Sequence, residues 1–193
     1  GNLGANSVRV VCSNGVQWTK TTYNELSNII QTCKNNNMIC ILEVHDTTGK
    51  DSTSDLNSAV NYWLEMKDLL NANKDYVILN IANEWMGSWN NGSTWTSAYV
   101  SAVKTIRNAG IKNVLLIDGP GYGQETSPLI SNCQTVKAAD TTGNIAFAIH
   151  MYSVAGKNST TVKNNIDRML AKGVCLIIGE FGAINKDNEA ERV

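Results

Sequence analysis

The sequence contains no apolar run approaching the roughly 20 residues that a helix needs to cross a bilayer, so no membrane partner is expected. Neither charge is in excess. Sixteen Lys and Arg stand against 17 Asp and Glu, intermixed along the chain, for a net charge of −1. A nucleic-acid binder shows clustered basic residues, so that class is also set aside. The five cysteines (Cys12, Cys33, Cys40, Cys133 and Cys175) include no Cys-x-x-Cys pair, which argues against a zinc ribbon or a thioredoxin-like redox site. Cys12, Cys40 and Cys175 fall inside or beside apolar runs, where a free thiol packs as a small hydrophobe. One bridge in an oxidising compartment stays open as an alternative, and the odd count leaves a thiol over. No leader-like segment opens the chain, because residues 1–6 are mostly small and polar. Two glycosylation sequons, at Asn91 and Asn158, are compatible with secretion.

What is present is a rhythm. Short β-branched, apolar runs recur at 8–11, 39–44, 76–81, 114–117, 145–149 and 174–178. Between them lie amphipathic stretches. Residues 21–35 place Leu26, Ile29, Ile30 and Cys33 at helical spacing, and 56–70 do so with Leu56, Ala59, Val60, Trp63, Leu64, Met66 and Leu70. Two further helices run through Tyr99 to a stop at Gly110, and through Val162 to a stop at Gly173. Residues 120–140 are less clearly helical and begin as a Gly-rich loop. Strands separated by helices every 30 to 40 residues or so predict βα units and a parallel sheet in one domain spanning 1–193. A doubly wound nucleotide-binding sheet would carry a Gly-rich phosphate loop after an early strand, and this chain has none. The expected architecture is a (β/α)8 barrel, whose chemistry sits at the C-terminal ends of its strands.

Those ends are polar throughout. Arg9 lies in the first run; the second ends in His45-Asp46, the third in Asn83-Glu84-Trp85 and the fourth in Asp118. The fifth leads into His150-Met151-Tyr152 and the sixth into Gly179-Glu180-Phe181-Gly182. Singly, each has a commoner explanation: a Glu after a strand usually serves as a first-turn acid of the next helix, and a His there is usually structural. Together, converging on one rim, they must be used or satisfied. Two carboxylates working without a cofactor suit glycoside hydrolysis, with one as proton donor and the other as nucleophile or base. Glu84 and Glu180 are the candidates, three repeats apart. Asn83 is expected to hold a sugar 2-hydroxyl, and aromatic side chains to stack on sugar rings.

The ordered set of Arg9, His45-Asp46, Asn83-Glu84, His150-Met151-Tyr152 and Gly179-Glu180-Phe181-Gly182 resembles glycoside hydrolase family 5 of clan A over nearly the whole chain. That resemblance implies Glu84 as acid/base and Glu180 as retaining nucleophile. Tyr152 and Arg9 would orient and ionise Glu180, and His45 and His150 would line the sugar subsite at the point of cleavage. Within the family, Ile81-Ala82-Asn83-Glu84-Trp85-Met86-Gly87-Ser88-Trp89, Leu42-Glu43-Val44-His45-Asp46 and Gly15-Val16-Gln17-Trp18 are most similar to bacterial-type endo-β-1,4-mannanases. Many family cellulases have Pro in place of Trp85. The implied substrate is therefore a β-1,4-linked plant polysaccharide, mannan ahead of cellulose, acted on by a secreted monomer with no metal or organic cofactor. Set against the family, the chain is expected to cover barrel strands two to seven of a longer enzyme.

Alternation along the strands adds finer expectations. Glu43 and His45 share one face, with Leu42 and Val44 on the other. If His45 points inward, so does Glu43, which is then expected to anchor Arg9 rather than act as a third catalytic acid. Ala146 and Ala148 should make room below His150. Trp63 belongs to a core stripe; Trp18, Trp85, Trp89 and Trp95 are candidate sugar platforms, with Trp85 and Trp89 preferred. Two rival classes remain. One is a metal-dependent barrel using His45, Asp46, Glu84, Asp118 and Glu180 as hard ligands. The other is a polysaccharide-binding barrel without turnover.

Overall fold

The structure, a computed structural model, describes residues 4–182; residues 1–3 and 183–193 of the expected domain lie outside the described residues. The strands are β1 (Ser7–Cys12), β2 (Ile39–Val44), β3 (Val77–Asn80), β4 (Val114–Asp118), β5 (Ile145–Met151) and β6 (Cys175–Phe181). The helices are α1 (Tyr23–Asn35), α2 (Thr53–Glu65), α3 (Lys67–Ala72), α4 (Gly92–Asn108), α5 (Thr126–Lys137) and α6 (Ser159–Leu170). All six strands are parallel and lie in chain order, β1-β2-β3-β4-β5-β6. A doubly wound sheet reverses its order at a switch point. This one does not, and its unbroken order is that of successive units in a (β/α)8 barrel.

Local chemistry sets the element boundaries. The hydroxyl of Thr22 accepts from the Glu25 amide while the Glu25 carboxylate accepts from Thr22, a reciprocal capping box that starts α1. Asn158 caps α6 through its side chain onto Thr161. The stretch expected as one helix over 56–70 is two, broken at Met66, whose backbone leaves helical geometry at ψ 5°. Its apolar stripe runs through the break because Trp63, Met66, Leu69 and Leu70 are all buried in the same core. Helix α5 is regular, and the Gly-rich loop before it accounts for the weak helical signal of 120–140.

Period-two alternation divides the sheet into two faces. Leu42, Val44, Leu79, Leu115, Ile117, Phe147 and Ile149 face the helices and form the main core with them. Ile41, Ile78, Val114, Leu116, Ala146, Ala148 and Ile177 form a separate interior cluster. The expected small residues are thus in place beneath His150. At the far end of the sheet, Arg107 pairs with both oxygens of Asp140 at 2.8 and 3.0 Å and donates to the carbonyls of Ile111, Asn113 and Asn144. That buried fork ties α4 to the loops entering β4 and β5. Among the described residues, β1 and β6 pair on one side only. They are correspondingly the less buried strands, with Val11 and Phe181 exposed.

Strict alternation fails at one place. Ile149 pairs with Ile178, but the next residue, His150, pairs with Glu180, so Gly179 is an extra residue in β6. Such a bulge inverts the facing of the strand residues beyond it. Ile177 points inward, and without the bulge Glu180 would share the outward face of Ile178. The bulge turns Glu180 into the interior.

Candidate active site

The polar strand ends converge. Arg9 reaches from β1 across the interior, its Nη1 donating to Glu180 Oε1 at 2.7 Å and its Nη2 to Asn83 Oδ1. Tyr152, just past β5, donates its hydroxyl to the other Glu180 oxygen at 2.9 Å. Both oxygens of Glu180 are therefore held. Glu84 Oε1 lies 2.8 Å from His150 Nδ1. One oxygen of Glu84, one of Glu180 and a ring nitrogen of His150 all lie within 4.8 Å of one another.

Asp118, fully buried, sits beneath this trio and organises it. It accepts from Asn80 Nδ2 at 2.6 Å and from the Glu84 backbone amide at 3.0 Å, and lies 3.5 Å from His150 Nε2. Burial opposes ionisation of Asp118, yet the charges of His150 and Arg9 and the Glu84 amide hold it below the ordinary carboxylate range. Burial likewise opposes a charged His150, but Asp118, Glu84 and Glu180 together outweigh it and lift the imidazole to about 10. Burial and the adjacent Glu180 carboxylate push the Tyr152 phenol up to about 12, so it remains a donor at neutral pH.

The backbone at Glu84 is strained. Its φ of 47° lies in the left-handed region, rare for a residue with a Cβ. Surrounding bonds hold it there: Gly49 N–H donates to the Glu84 carbonyl at 3.1 Å, Thr47 Oγ1 to the Asn83 carbonyl at 2.8 Å, and Asn83 N–H to the Val44 carbonyl at 2.9 Å. Met86 N–H bonds Lys50 O, and Gly121 N–H bonds Met86 O. The loops after β2, β3 and β4 are thus stitched together along one seam.

Glu43 is inside the barrel and buried, as its parity with His45 requires. Its closest partner is His45, at 2.9 Å, with Arg9 at 3.6 Å. The expected anchoring of Arg9 is a 3.6 Å approach without a hydrogen bond; the hydrogen bond goes to His45. Asn83 is also fully buried, with Oδ1 bonded to Arg9 and Nδ2 to Thr48 Oγ1 at 2.7 Å. Its amide, expected on a sugar hydroxyl, is engaged within the protein.

The tryptophans divide differently from expectation. Trp85 is a correction: it is 0% exposed, donates to the Ser52 carbonyl at 2.9 Å, and packs edge-on against Tyr99. No sugar can stack on it. Trp95 is buried beside the same tyrosine and donates to the Asp118 carbonyl. Trp89 is 41% exposed and Trp18 47% exposed, the latter with its ring centroid 5.6 Å from that of His45. The Trp18 loop is held by buried Asp46, which accepts from Gln17 N–H, Asn14 N–H and Ser13 Oγ. Asp46, a ligand in the metal-enzyme alternative, is therefore a loop clamp. Tyr122 is not among the candidates that the sequence suggests. It is exposed at φ 56° between Gly121 and Gly123, its ring against Gly49. The only sequence signal for it is the Gly-Tyr-Gly run itself.

Of the metal candidates only Glu84 and Glu180 come together, joined by His150. The donor set fits a cation poorly, because the Arg9 guanidinium already lies against Glu180 and the imidazole, charged at neutral pH, against Glu84.

Fold and site together are a six-stranded run of parallel βα units with a carboxylate pair on its rim. The chain belongs to the cellulase family, glycosyl hydrolase family 5, whose model matches residues 1–193. It is 44% identical over 188 residues to a mannan endo-1,4-beta-mannosidase of Salipaludibacillus agaradhaerens, covering 97% of this chain and 61% of that protein. It is 41% identical to a beta-mannanase/endoglucanase A of Caldicellulosiruptor saccharolyticus, over 97% of this chain and 14% of the relative. Among solved structures, the mannohexaose complex of Thermomonospora fusca beta-mannanase superposes with a TM-score of 0.87 at 41% identity, covering 94% of this chain and 62% of that one. The chain thus spans less than two thirds of the length of each of these proteins.

Proposed function

We propose that this chain carries the catalytic pair of a retaining endo-β-1,4-mannanase. The observation that carries the reading is the separation of the two carboxylates. Retaining glycosidases place theirs about 5–5.5 Å apart and inverting ones about 6.5–9.5 Å apart, and oxygens of Glu84 and Glu180 lie within 4.8 Å. The unequal surroundings of the pair support a division of roles. Glu180, held at both oxygens by Arg9 and Tyr152, is aimed, which suits the nucleophile. Glu84 lies 2.8 Å from His150 Nδ1, within reach of a hydrogen bond, which suits a group that gives and takes a proton.

In the first step Glu84 protonates the glycosidic oxygen while Glu180 attacks the anomeric carbon. The bond to the leaving sugar breaks and a glycosyl ester forms on Glu180. In the second, Glu84 removes a proton from water, which attacks the same carbon and returns Glu180 as a carboxylate. Two inversions leave the configuration retained. His45 and exposed Trp18 lie on the Arg9 side of the pair, and Trp89 and Tyr122 on the Glu84 side. They are read as walls for the sugars flanking the cut.

Mannan is preferred because the relatives named above are mannanases. Cellulose is the second reading, supported by the relative named both beta-mannanase and endoglucanase. A polymer too large to enter a cell implies a secreted enzyme, and the reading takes it as a monomer working without metal. The test is reducing-sugar release from galactomannan and carboxymethylcellulose, with and without EDTA. EDTA-resistant release from galactomannan is expected. Release from neither polymer by a completed barrel would sink the proposal in favour of a binding barrel, and EDTA-sensitive release would favour the metal enzyme.

A further inference from the structure

Beneath the glutamates lies a second polar layer that the reaction above does not use. Glu43 and Asn80 are direct register partners on neighbouring strands, on the inward face, both 0% exposed. Strands in a sheet stand about 4.8 Å apart, so their side chains are neighbours. Each has one oxygen with no hydrogen-bond partner among the described residues: Glu43 Oε2 and Asn80 Oδ1.

The orientation of the Asn80 amide is set by its other neighbour. Asp118, on β4, needs a donor, and Asn80 Nδ2 supplies it at 2.6 Å. Oδ1 is the amide atom left without a donor, and the register partner of Asn80 on β2 is Glu43. With Glu43 ionised, two buried acceptors would share this space without a proton between them, an arrangement that costs free energy on both sides. A single proton on Oε2 satisfies both atoms.

We propose that Glu43 is a neutral carboxylic acid in the folded protein, donating from Oε2 to Asn80 Oδ1 and accepting His45 Nδ1–H at Oε1, and that in this form it is a positioning residue for His45 and Arg9. The groups facing it are Arg9 from β1, His45 at the end of its own strand and Asp118 from β4, while Cys12, on the helix-facing side of β1, meets the Glu43 backbone. Burial is the largest influence and pushes the Glu43 carboxyl above its ordinary range; His45 and Arg9 pull the other way and Asp118 adds to burial. His45 is raised by the same contact, so the two compete for a proton, and the orphaned Oε2 decides for Glu43. Arg9, 2.7 Å from Glu180, 4.0 Å from Asp118 and 3.6 Å from Glu43, then divides its charge between Glu180 and Asp118, with no third carboxylate drawing on it. The service to Arg9 rests on the reaction proposed above; the protonation does not.

The test is infrared difference spectroscopy of wild type against Glu43→Gln, in ordinary and heavy water at neutral pH. The wild type is expected to show the carbonyl band of a protonated carboxyl, sensitive to heavy water and absent from E43Q. In Asn80→Ala that band should move to higher frequency as its acceptor is lost. A wild type without the band, a band surviving in E43Q, or one unmoved in N80A would overturn the assignment. For positioning, Gln offers a donor and an acceptor where the acid does, whereas Glu43→Ala strands Asn80 and His45. The expected kcat/KM on mannan is therefore about tenfold lower in E43A than in E43Q, and equal losses would overturn the role. If even the wild type left mannan intact, the reaction and with it the service to Arg9 would fall, while the infrared bands would still decide the protonation.

Discussion

Gly179 carries the imidazole of His150 against its bare Cα: a Cβ built there would stand 2.8 Å from Nε2. The same residue is the bulge that turns Glu180 inward. Gly179→Ala must therefore displace the His150 ring, which holds Glu84, or flatten the bulge, which sets the facing of Glu180. We expect kcat/KM to fall at least tenfold, with a stability loss of about 1–3 kcal/mol from overpacking. Gly173→Ala is the control. Its Cβ meets open space but its φ is 64°, so it should lose stability while keeping activity. Steady-state kinetics and denaturant midpoints on both variants check this.

Replacing Glu84 by Ala removes proton transfer in both steps, for an expected loss of about 10²–10⁴ on polymeric mannan. Azide needs no base, so added azide should speed turnover of an activated aryl mannoside by E84A and give a glycosyl azide of retained configuration. Glu180→Ala should give no such product. Product analysis showing inverted azide from E84A would exchange the two roles.

His150 is raised in the fold to about 10 from an ordinary value of 6.5. A group raised on folding contributes stability that is complete below its unfolded value and is lost as pH climbs through the folded one. The stability advantage of wild type over His150→Gln should thus shrink between about pH 6.5 and 10, read by thermal unfolding across that range. An advantage that grew with pH would mean that the imidazole is buried neutral.

Trp85 and Trp89, four residues apart, should respond oppositely. Trp85→Ala empties a core site and is expected to lose about 3–5 kcal/mol. Trp89→Ala should leave the unfolding midpoint within error and raise KM on mannan. Melting curves and oligosaccharide kinetics on the two variants separate the roles.

Arg107→Ala breaks the buried fork to Asp140, far from the rim, and leaves that carboxylate without its cation. The expected loss is about 3–5 kcal/mol, measured as the unfolding free energy in urea. In whatever protein remains folded, kcat/KM should match wild type.

How far the sequence can be read depends on periodicity. The run 39–44 matches its strand residue for residue, and the inward facing of Glu43, Ala146, Ala148 and His150 comes from alternation alone. The same rule misplaces Glu180, because an extra residue in β6 leaves no mark on the hydrophobic pattern beyond a glycine. Trp85 reads as a platform in the sequence because it stands directly after the strand-end motif. Irregular backbone has no period from which to infer burial; with Glu84 and Met86 both at positive φ, the chain turns the Trp85 indole into the core. Tyr122 is hidden in the sequence for the same reason. The partners of Asp118 are out of reach because they come from β1, β3 and β5 and the Glu84 backbone, a convergence made by the curl of the sheet and not by spacing along the chain.

The seam of amide bonds from Gly49 to Glu84, from Met86 to Lys50 and from Gly121 to Met86 makes three rim loops into one cooperative unit. Thermal opening of one should release all three, so these amide protons are expected to exchange with solvent at a common rate. Glu84 then has no private hinge. A sugar chain entering the cleft would meet a wall that is already set, and the adjustment on binding would fall to the polysaccharide.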